Sequence, residues 1–335
     1  ASYYLGCLYF DKRQYDLAGK YWNLSAKSDG TSPLVWRNLA LLSFNKLNEK
    51  DTALSYMQKS FELNKKDARI LMELDQLYAR MQWTPEDRLN FLKQYPDLIA
   101  KRDDLLLSQI TLLNQTGKYE EALSLIDKHI FHPWEGGEGK VPAQYQYGRM
   151  KLSIEMIQKG EFKSAINLLE GCLIYPLNLG EGKLEGAKEN DIHYLLGCAY
   201  EGTGDIEKAE LWWNKAAEGN LEPVVALYYN DAKPYKIYYQ GLALAKLGRQ
   251  DEANKCFFKL ISYGKKHFYD KSQKDYFAVS LPDMQIWIDN LDTRLRMHCL
   301  YMLGLGYLGA GDQKRSESYI QELKELDINF MTTAF

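Results

Sequence analysis

The stretch that decides the fold is LGCAYEGTGDIEKA, residues 196–209. Here Leu-Gly is followed by Tyr three residues after the Gly, by a second Gly seven residues after it, and by Ala five residues later. The same spacing returns at residues 303–316 (LGLGYLGAGDQKRS), with Ser as the last residue, and without the second Gly at 5–18 (LGCLYFDKRQYDLA). Small residues let two antiparallel helices approach closely while Leu and Tyr fill the gaps. The second Gly suits a left-handed helix end. The pattern predicts helical hairpins.

Weaker copies of this pattern run through the rest of the chain: Trp36 with Ala40 and Ala53, Gly117 with Ala122, Gly160 with Ala165, and Gly241 with Gly248 and Ala253. Ala18 and Ala53 lie 35 residues apart, close to the period of about 34 of tetratricopeptide repeats. The chain resembles that repeat over nearly its whole length. The resemblance implies an all-α, right-handed superhelical solenoid of about eight helical hairpins.

The repeat spacing changes along the chain. From Gly117 the turn glycines follow at 160, 204, 248 and 311, in steps of 43, 44, 44 and 63 residues. We therefore expect regular repeats in 1–100 and, continuous with them, repeats with long inserted loops in 101–335. The insertions are predicted at about 129–143, 173–190, 217–234 and 262–292, along one edge of the solenoid, where they would form a composite surface.

Two insertions share the motif P-x-x-x-G-E-G-K, at residues 133–140 and 176–183. A Gly-rich turn with an acid and a base is suited to an anion or a polar ligand. The alternative is a loop that only spans a wide gap, with an internal Glu–Lys pair. It is not a phosphate-binding P-loop, since neither Lys is followed by Ser or Thr. The candidate binding residues on this loop edge are Trp134, Glu135, Gly137, Glu138, Lys140, Gly180, Glu181 and Lys183.

A second candidate surface is aromatic. Tyr194 and Tyr301 stand two residues before the Leu of their repeats, and Tyr238 is equivalent in its own repeat. In tetratricopeptide arrays this position faces the concave groove, where tyrosines would stack on a peptide or a sugar. Packing between helices explains the same pattern equally well.

Composition excludes several classes of function. The net charge of −3 gives no basic field for nucleic acid, and five scattered cysteines fit neither a disulfide framework nor a thiolate zinc site. No apolar run is long enough to cross a membrane. His129 and His132 lie near two glutamates, but Pro133 between them breaks any helix that would align the four groups. No catalytic motif is present. We expect no enzyme activity, no cofactor, no metal and a cytoplasmic location.

The loop motifs resemble something narrower than a generic repeat. Residues 131–140 (FHPWEGGEGK), the second motif copy and residues 275–283 (DYFAVSLPD), which end in Asp283, are similar to the C-terminal repeat region of a family of large bacterial proteins. That family carries an N-terminal domain of unknown function, thought to resemble the β-sandwich of sugar mutarotases. The resemblance spans roughly residues 60–325.

The resemblance implies that this chain is a fragment of a larger protein. We expect a non-catalytic scaffold that docks a protein partner or its own N-terminal domain. The alternative is an accessory module that completes the carbohydrate-binding site of a carbohydrate-active enzyme. Asp283 joins the loop-edge candidates on this ground.

Overall fold

The structure, a computed structural model, describes residues 1–224, 233–271 and 286–332. These residues form α-helices and no strand, which confirms the expected all-α fold. The helices are α1 Ser2–Asp11, α2 Tyr15–Ser28, α3 Pro33–Leu42, α4 Lys50–Leu63, α5 Ala68–Arg80, α6 Pro85–Leu92, α7 Pro96–Ile99, α8 Asp103–Gln115, α9 Tyr119–Lys128, α10 Lys140–Gln158, α11 Phe162–Cys172, α12 Asn190–Thr203, α13 Ile206–Ala217, α14 Pro234–Lys246, α15 Gln250–His267, α16 Leu291–Gly309 and α17 Gln313–Leu326.

The helices pair into hairpins, and each hairpin turn contains one residue in the left-handed conformation. In the last five hairpins this residue is glycine, as predicted: Gly117, Gly160, Gly204, Gly248 and Gly311. In the first three it is Arg13, Asn48 and Gln82. The third hairpin starts its second helix at the expected place, since the hydroxyl of Thr84 accepts a hydrogen bond from the N–H of Asp87.

The small residue at this position in three hairpins, Gly6, Gly197 and Gly241, makes room for a large ring sixteen residues later. A Cβ atom on Gly6 would lie 2.3 Å from Cδ1 of Trp22, and one on Gly197 would lie 2.3 Å from Cδ1 of Trp213. Both tryptophans are buried. Gly241 meets Phe257 in the same way. The conserved spacing within this chain is therefore a packing rule that joins the two helices of a hairpin.

Polar side chains satisfy the carbonyl groups at the ends of second helices. Asn190 and Gln240 both donate to the last carbonyls of α13 and the residues after it. Tyr145 and Gln146 donate to the carbonyls of Gly171 and Cys172 at the end of α11. Such contacts replace the missing partners of a helix C-terminus and join one repeat to the next.

The described chain divides into two compact units, and the boundary lies within α8 between Gln109 and Ile110. Unit 1 holds residues 1–109 and the short described segment 286–289. Unit 2 holds the described residues of 110–271 and 290–332. In unit 1, α3 continues into a π-helical turn, Ser43–Leu47, before the hairpin turn at Asn48.

The long connections differ from the predicted insertions at two ends. The first ends at Gly139 rather than at 143, because left-handed Gly139 starts α10 at Lys140. The last begins after His267 rather than at 262. There α15 continues through Gly264, where a Cβ would meet the side chain of Leu303, and ends at His267 after Lys265 and Lys266, whose positive charge suits a helix C-terminus.

Candidate interaction surfaces

The first two insertions of unit 2 pack on each other. We name residues 129–139 loop A, residues 173–189 loop B, and the two together the loop edge. The N–H of Phe131 in loop A donates to the carbonyl of Asn178 in loop B at 2.8 Å. The amide of Asn178 in turn donates to the carbonyls of Ile126 and His129, at the end of α9. Through these contacts loop B holds loop A against the end of α9.

The two copies of the P-x-x-x-G-E-G-K motif adopt different backbones. In loop A the left-handed glycines are Gly136 and Gly139, whereas in loop B the first motif glycine, Gly180, is left-handed. A Cβ on Gly180 would also lie 2.5 Å from the carbonyl oxygen of Phe131. Lys140 is the first residue of α10, but Lys183 lies in the connection before α12. A repeat in sequence is not a repeat in structure here.

The candidate residues of loop A surround Trp134. Gly137 is buried, and a Cβ on it would lie 2.2 Å from the indole ring of Trp134. Trp134 and Glu138 are half-buried, while Glu135 and Lys140 are exposed. Gly137 is thus required for space, since any side chain there would displace the tryptophan.

The acid and the base of loop B have separate partners. The carboxylate of Glu181 accepts a hydrogen bond from the N–H of Gly139 in loop A at 2.7 Å. Lys183 forms an ion pair with Glu189 at 2.7 Å and donates to the carbonyl of Leu173. The second motif glutamate therefore binds the first motif copy, and the second motif lysine closes loop B on itself.

Burial raises the pKa of Glu181 above its usual value. The hydrogen bond from Gly139 opposes this shift, and the nearby carboxylate of Glu138 adds to it. The junction of the two loops thus holds a carboxylate whose charged form is disfavoured by its surroundings.

Large apolar side chains are exposed on this edge. Ile130 is 69% exposed, Ile174 68% and Leu177 98%. Ile130 and Leu177 are the chain neighbours of Phe131 and Asn178, so the main-chain contact between the loops brings them to one junction. Exposed apolar groups grouped in this way are typical of protein interaction sites.

A cavity of about 650 Å³ lies beside loop B. Its walls come from the start of α10, from loop B and from the start of α14, and include Gln146, Tyr175, Glu181, Tyr235 and Lys236. The amine of Lys236 is fixed by the buried carboxylate of Asp191 at 2.5 Å. Burial raises the pKa of Tyr235, whose hydroxyl therefore stays protonated. Glu181 is the candidate residue of the loop edge that reaches this cavity.

The three predicted groove tyrosines belong to one packed cluster in unit 2. Tyr238 and Tyr301 are buried in it, and Tyr194 packs against its edge. Tyr194 and Tyr238 both contact Tyr239, with ring centroids 5.5 and 5.4 Å apart. Burial raises the pKa of Tyr238 to about 12. All three take part in interhelix packing, and a role in ligand binding stays a prediction.

Tyr301 also meets the segment that follows α17. The ring of Phe330 lies edge-on to it, with centroids 5.5 Å apart. The main-chain carbonyls of Asn329 and Thr332 accept hydrogen bonds from the amide of Gln115 and the hydroxyl of Tyr147. The segment after α17, which contains a turn at residues 327–330, therefore lies across the first helices of several hairpins of unit 2.

The remaining predictions concern Asp283, metal binding, membrane-spanning helices and the cysteines. Asp283 lies outside the described residues. Within the described part of the chain, no group of three or more His, Cys, Asp and Glu side chains is placed to hold a metal. No helix among the described residues is long and apolar enough to cross a membrane. All five cysteines are unpaired, and burial raises the pKa of Cys299 to about 11.

Sequence reasoning named Glu181, which joins the two loops, but missed two other residues that do so. Asn178 stands at a variable position of the repeated motif, and Phe131 precedes its first copy, so neither was singled out as a candidate. One available signal is the alternation Leu177-Asn178-Leu179 within a loop, where Leu179 is buried and Leu177 exposed. That alternation is typical of an ordered turn in which one side chain packs inward and its neighbour points to solvent.

Comparison with known proteins supports this fold. The sequence profile of the tetratricopeptide repeat matches residues 191–218, the hairpin of α12 and α13. Two similar solved structures are a tetratricopeptide repeat protein from Parabacteroides merdae and YrrB, a TPR protein described as having an unusual peptide-binding site. The first is 14% identical with a TM-score of 0.40, covering 76% of this chain and 88% of that one. YrrB is 16% identical with a TM-score of 0.39, covering 58% of this chain and 90% of its own.

At these TM-scores the fold assignment rests on the hairpins and the repeat match rather than on the solved structures. A sequence relative is the Uncharacterized protein MJ0572 of Methanocaldococcus jannaschii, 35% identical over 91 residues. The match covers 27% of this chain and 94% of the relative. The chain thus has a tetratricopeptide-repeat fold and belongs to one family with this archaeal protein, whose name assigns no function.

Proposed function

We propose that the chain is a non-catalytic interaction scaffold that docks a folded protein domain on its loop edge. The observation that carries this proposal is the exposure of Ile130, Ile174 and Leu177 on two loops that are joined by hydrogen bonds through Asn178 and Glu181. Burying such side chains contributes about 25 cal/mol per Å² of apolar surface. Because loops A and B are already tied to each other, little conformational entropy is lost when a partner binds.

The first candidate partner is the N-terminal domain that the bacterial family resemblance implies. Trp134 lies in loop A and Lys140 directly follows it, so both would contribute to a partner interface on this edge. Partner-binding roles for Glu135, Glu138 and Lys183 belong to the same proposal, with Glu138 beside the carboxylate of Glu181 and Lys183 beside Glu189.

The proposal is tested by sedimentation velocity. The chain is mixed with the domain that precedes it in its reading frame, and the two are produced separately. The pair should sediment as a complex, and the double variant Ile130→Asp, Leu177→Asp should abolish it. Leu211→Asp, on the exposed side of α13, is the matched control and should leave the complex intact. Failure of the unaltered chain to associate, or equal loss in the control, would contradict docking of that domain on this edge.

The carbohydrate alternative has one observation in its favour, the cavity beside loop B. Its volume lies in the range of small-ligand sites, and tyrosine rings with a carboxylate and an amide are groups that bind sugars. Titration with soluble oligosaccharides, followed by NMR shifts of the residues around Gln146, tests it. Shifts that saturate and vanish in Tyr175→Ala would favour this function, and unchanged spectra would reject it.

A further inference from the structure

A short segment from far along the chain is buried in unit 1. Trp287 is 1% exposed. Its indole N–H donates to the carbonyl oxygen of Glu73 in α5 at 2.7 Å. Its ring lies edge-on to that of Phe44, with centroids 5.3 Å apart. The indole is therefore fixed by one polar and one aromatic contact, which defines a seat for a tryptophan side chain.

Asn45 binds the main chain on both sides of this tryptophan. Its amide nitrogen donates to the carbonyl of Ile286 at 2.8 Å, and its amide oxygen accepts from the N–H of Ile288 at 2.9 Å. A side-chain amide that pairs with both groups in this way recognises the main chain and not the side chains of the segment. Phe44 and Asn45 both lie in the π-helical turn that ends α3. Such a turn is a bulge in the helix that is frequent at functional sites.

An ion pair fixes the direction in which residues 286–289 run along unit 1. The carboxylate of Asp289 pairs with the guanidinium of Arg80 at 2.6 Å. The carboxylate of Glu73 is fully buried and held by Arg37 and Arg69, which fixes the residue of α5 whose carbonyl accepts the indole N–H. Ile288, between the two recognised side chains, is 52% exposed and makes room for any residue.

We propose that unit 1 carries a recognition site for short segments of the form Trp-x-Asp, and that residues 286–289 are its internal occupant. The ligand of this site in trans is a segment of a partner protein with tryptophan and, two residues later, an acidic residue. This site lies within unit 1 and is distinct from the loop edge of unit 2. An internal occupant competes at a high effective concentration, so a partner segment binds weakly until residues 286–289 are displaced.

The test uses the full chain and a fluorescein-labelled peptide of residues 284–291, MQIWIDNL, read by fluorescence anisotropy. The substitution Trp287→Ala in the chain empties the seat and should tighten binding of the peptide at least tenfold over the unaltered chain. Adding Asn45→Leu to Trp287→Ala should remove that gain. Trp212→Ala, a tryptophan truncation in unit 2, is the matched control and should bind as weakly as the unaltered chain.

A charge reversal tests the same site without relying on the emptied seat alone. A chain with Arg80→Glu and Trp287→Ala should prefer a peptide carrying Asp289→Lys over the original peptide. Circular dichroism establishes that each variant is folded. The proposal is overturned if folded Trp287→Ala binds the peptide no better than the control. It is equally overturned if a peptide with Trp287→Ala binds as well as the original, or if charge reversal leaves the preference unchanged.

Discussion

Gly204 ends α12 with φ 83°, and no atom lies within 4 Å of the position that a Cβ would take. Substitution by alanine there meets no steric clash, so its cost is the strain of a left-handed backbone, about 1 kcal/mol. Gly182 has equally open surroundings but no left-handed φ. We expect Gly204→Ala to lower the free energy of unfolding by about 1 kcal/mol in urea titrations, and Gly182→Ala to change it little. Equal effects would contradict the backbone explanation.

The same turn position explains why the first hairpins were harder to recognise in the sequence. The left-handed residues at 13, 48, 82 and 117 are spaced by 35, 34 and 35 residues, so the regular period extends further than the glycines show. Arg13, Asn48 and Gln82 occupy a conformation that glycine adopts without strain. At these three positions a residue other than glycine is strained, and the packing of the two helices offsets that strain. The type of the turn residue alone therefore does not reveal the turn.

His193 predicts a dependence of stability on pH. Burial and the nearby charge of Lys215 lower its pKa from 6.5 to about 4, and its ring lies 5.3 Å from that of Trp212. The unfolded chain then binds a proton more readily than the folded chain. The stabilisation is fully present above about pH 6.5 and is lost as the pH falls toward 4.

The measurement is the free energy of unfolding of the unaltered chain and of His193→Gln between pH 4 and 8. The difference between the two should be constant above pH 7 and should move in favour of the variant below pH 6.5. Because other titrating groups are common to both proteins, their contributions cancel. A difference that stays constant down to pH 4 would show that the imidazole titrates normally.

Among the elements, the fold was predictable where one packing rule repeats, and the loops were not. Gly197 and Trp213 repeat the relation of Gly6 and Trp22, so a pattern of two residues predicts a hairpin. The motif copies in loops A and B share letters, yet Gly139 is left-handed in one and Gly180 in the other. What sets their conformations is contact between the loops, namely Glu181 with Gly139, and such long-range contacts are not encoded in either copy alone.

Packing within the hairpin of α12 and α13 gives the next prediction. A methyl group on Gly197 would lie 2.3 Å from the buried ring of Trp213. Forcing the two apart should cost about 1–3 kcal/mol. We expect Gly197→Ala to lower the thermal midpoint, and to cost less in a Trp213→Leu background, where the ring is absent. An equal cost in both backgrounds would show that the destabilisation by Gly197→Ala does not come from contact with Trp213.

Over the whole molecule, each unit holds a non-helical segment of the chain by an aromatic ring and by its main chain. In unit 1 the ring is Trp287 and the main-chain contacts come from Asn45. In unit 2 the ring is Phe330 and the main-chain contacts come from Gln115 and Tyr147. Neither segment resembles the other in sequence. Side-chain amides and hydroxyls that bind main-chain groups suit helical hairpins to accept non-helical segments of varied sequence.

Stability should be distributed unevenly along such an array, because each hairpin is stabilised mainly by its neighbours. In α1 the buried residue is Gly6, while Tyr4, Leu5 and Leu8 are exposed. In α16 ten residues are buried, from Leu295 to Tyr307. Hydrogen exchange measured by mass spectrometry should therefore show the fastest helical exchange in peptides of α1 and the slowest in peptides of α16. Equal protection of the two helices would mean that the whole chain opens in one cooperative step, and that burial within single hairpins does not set local stability.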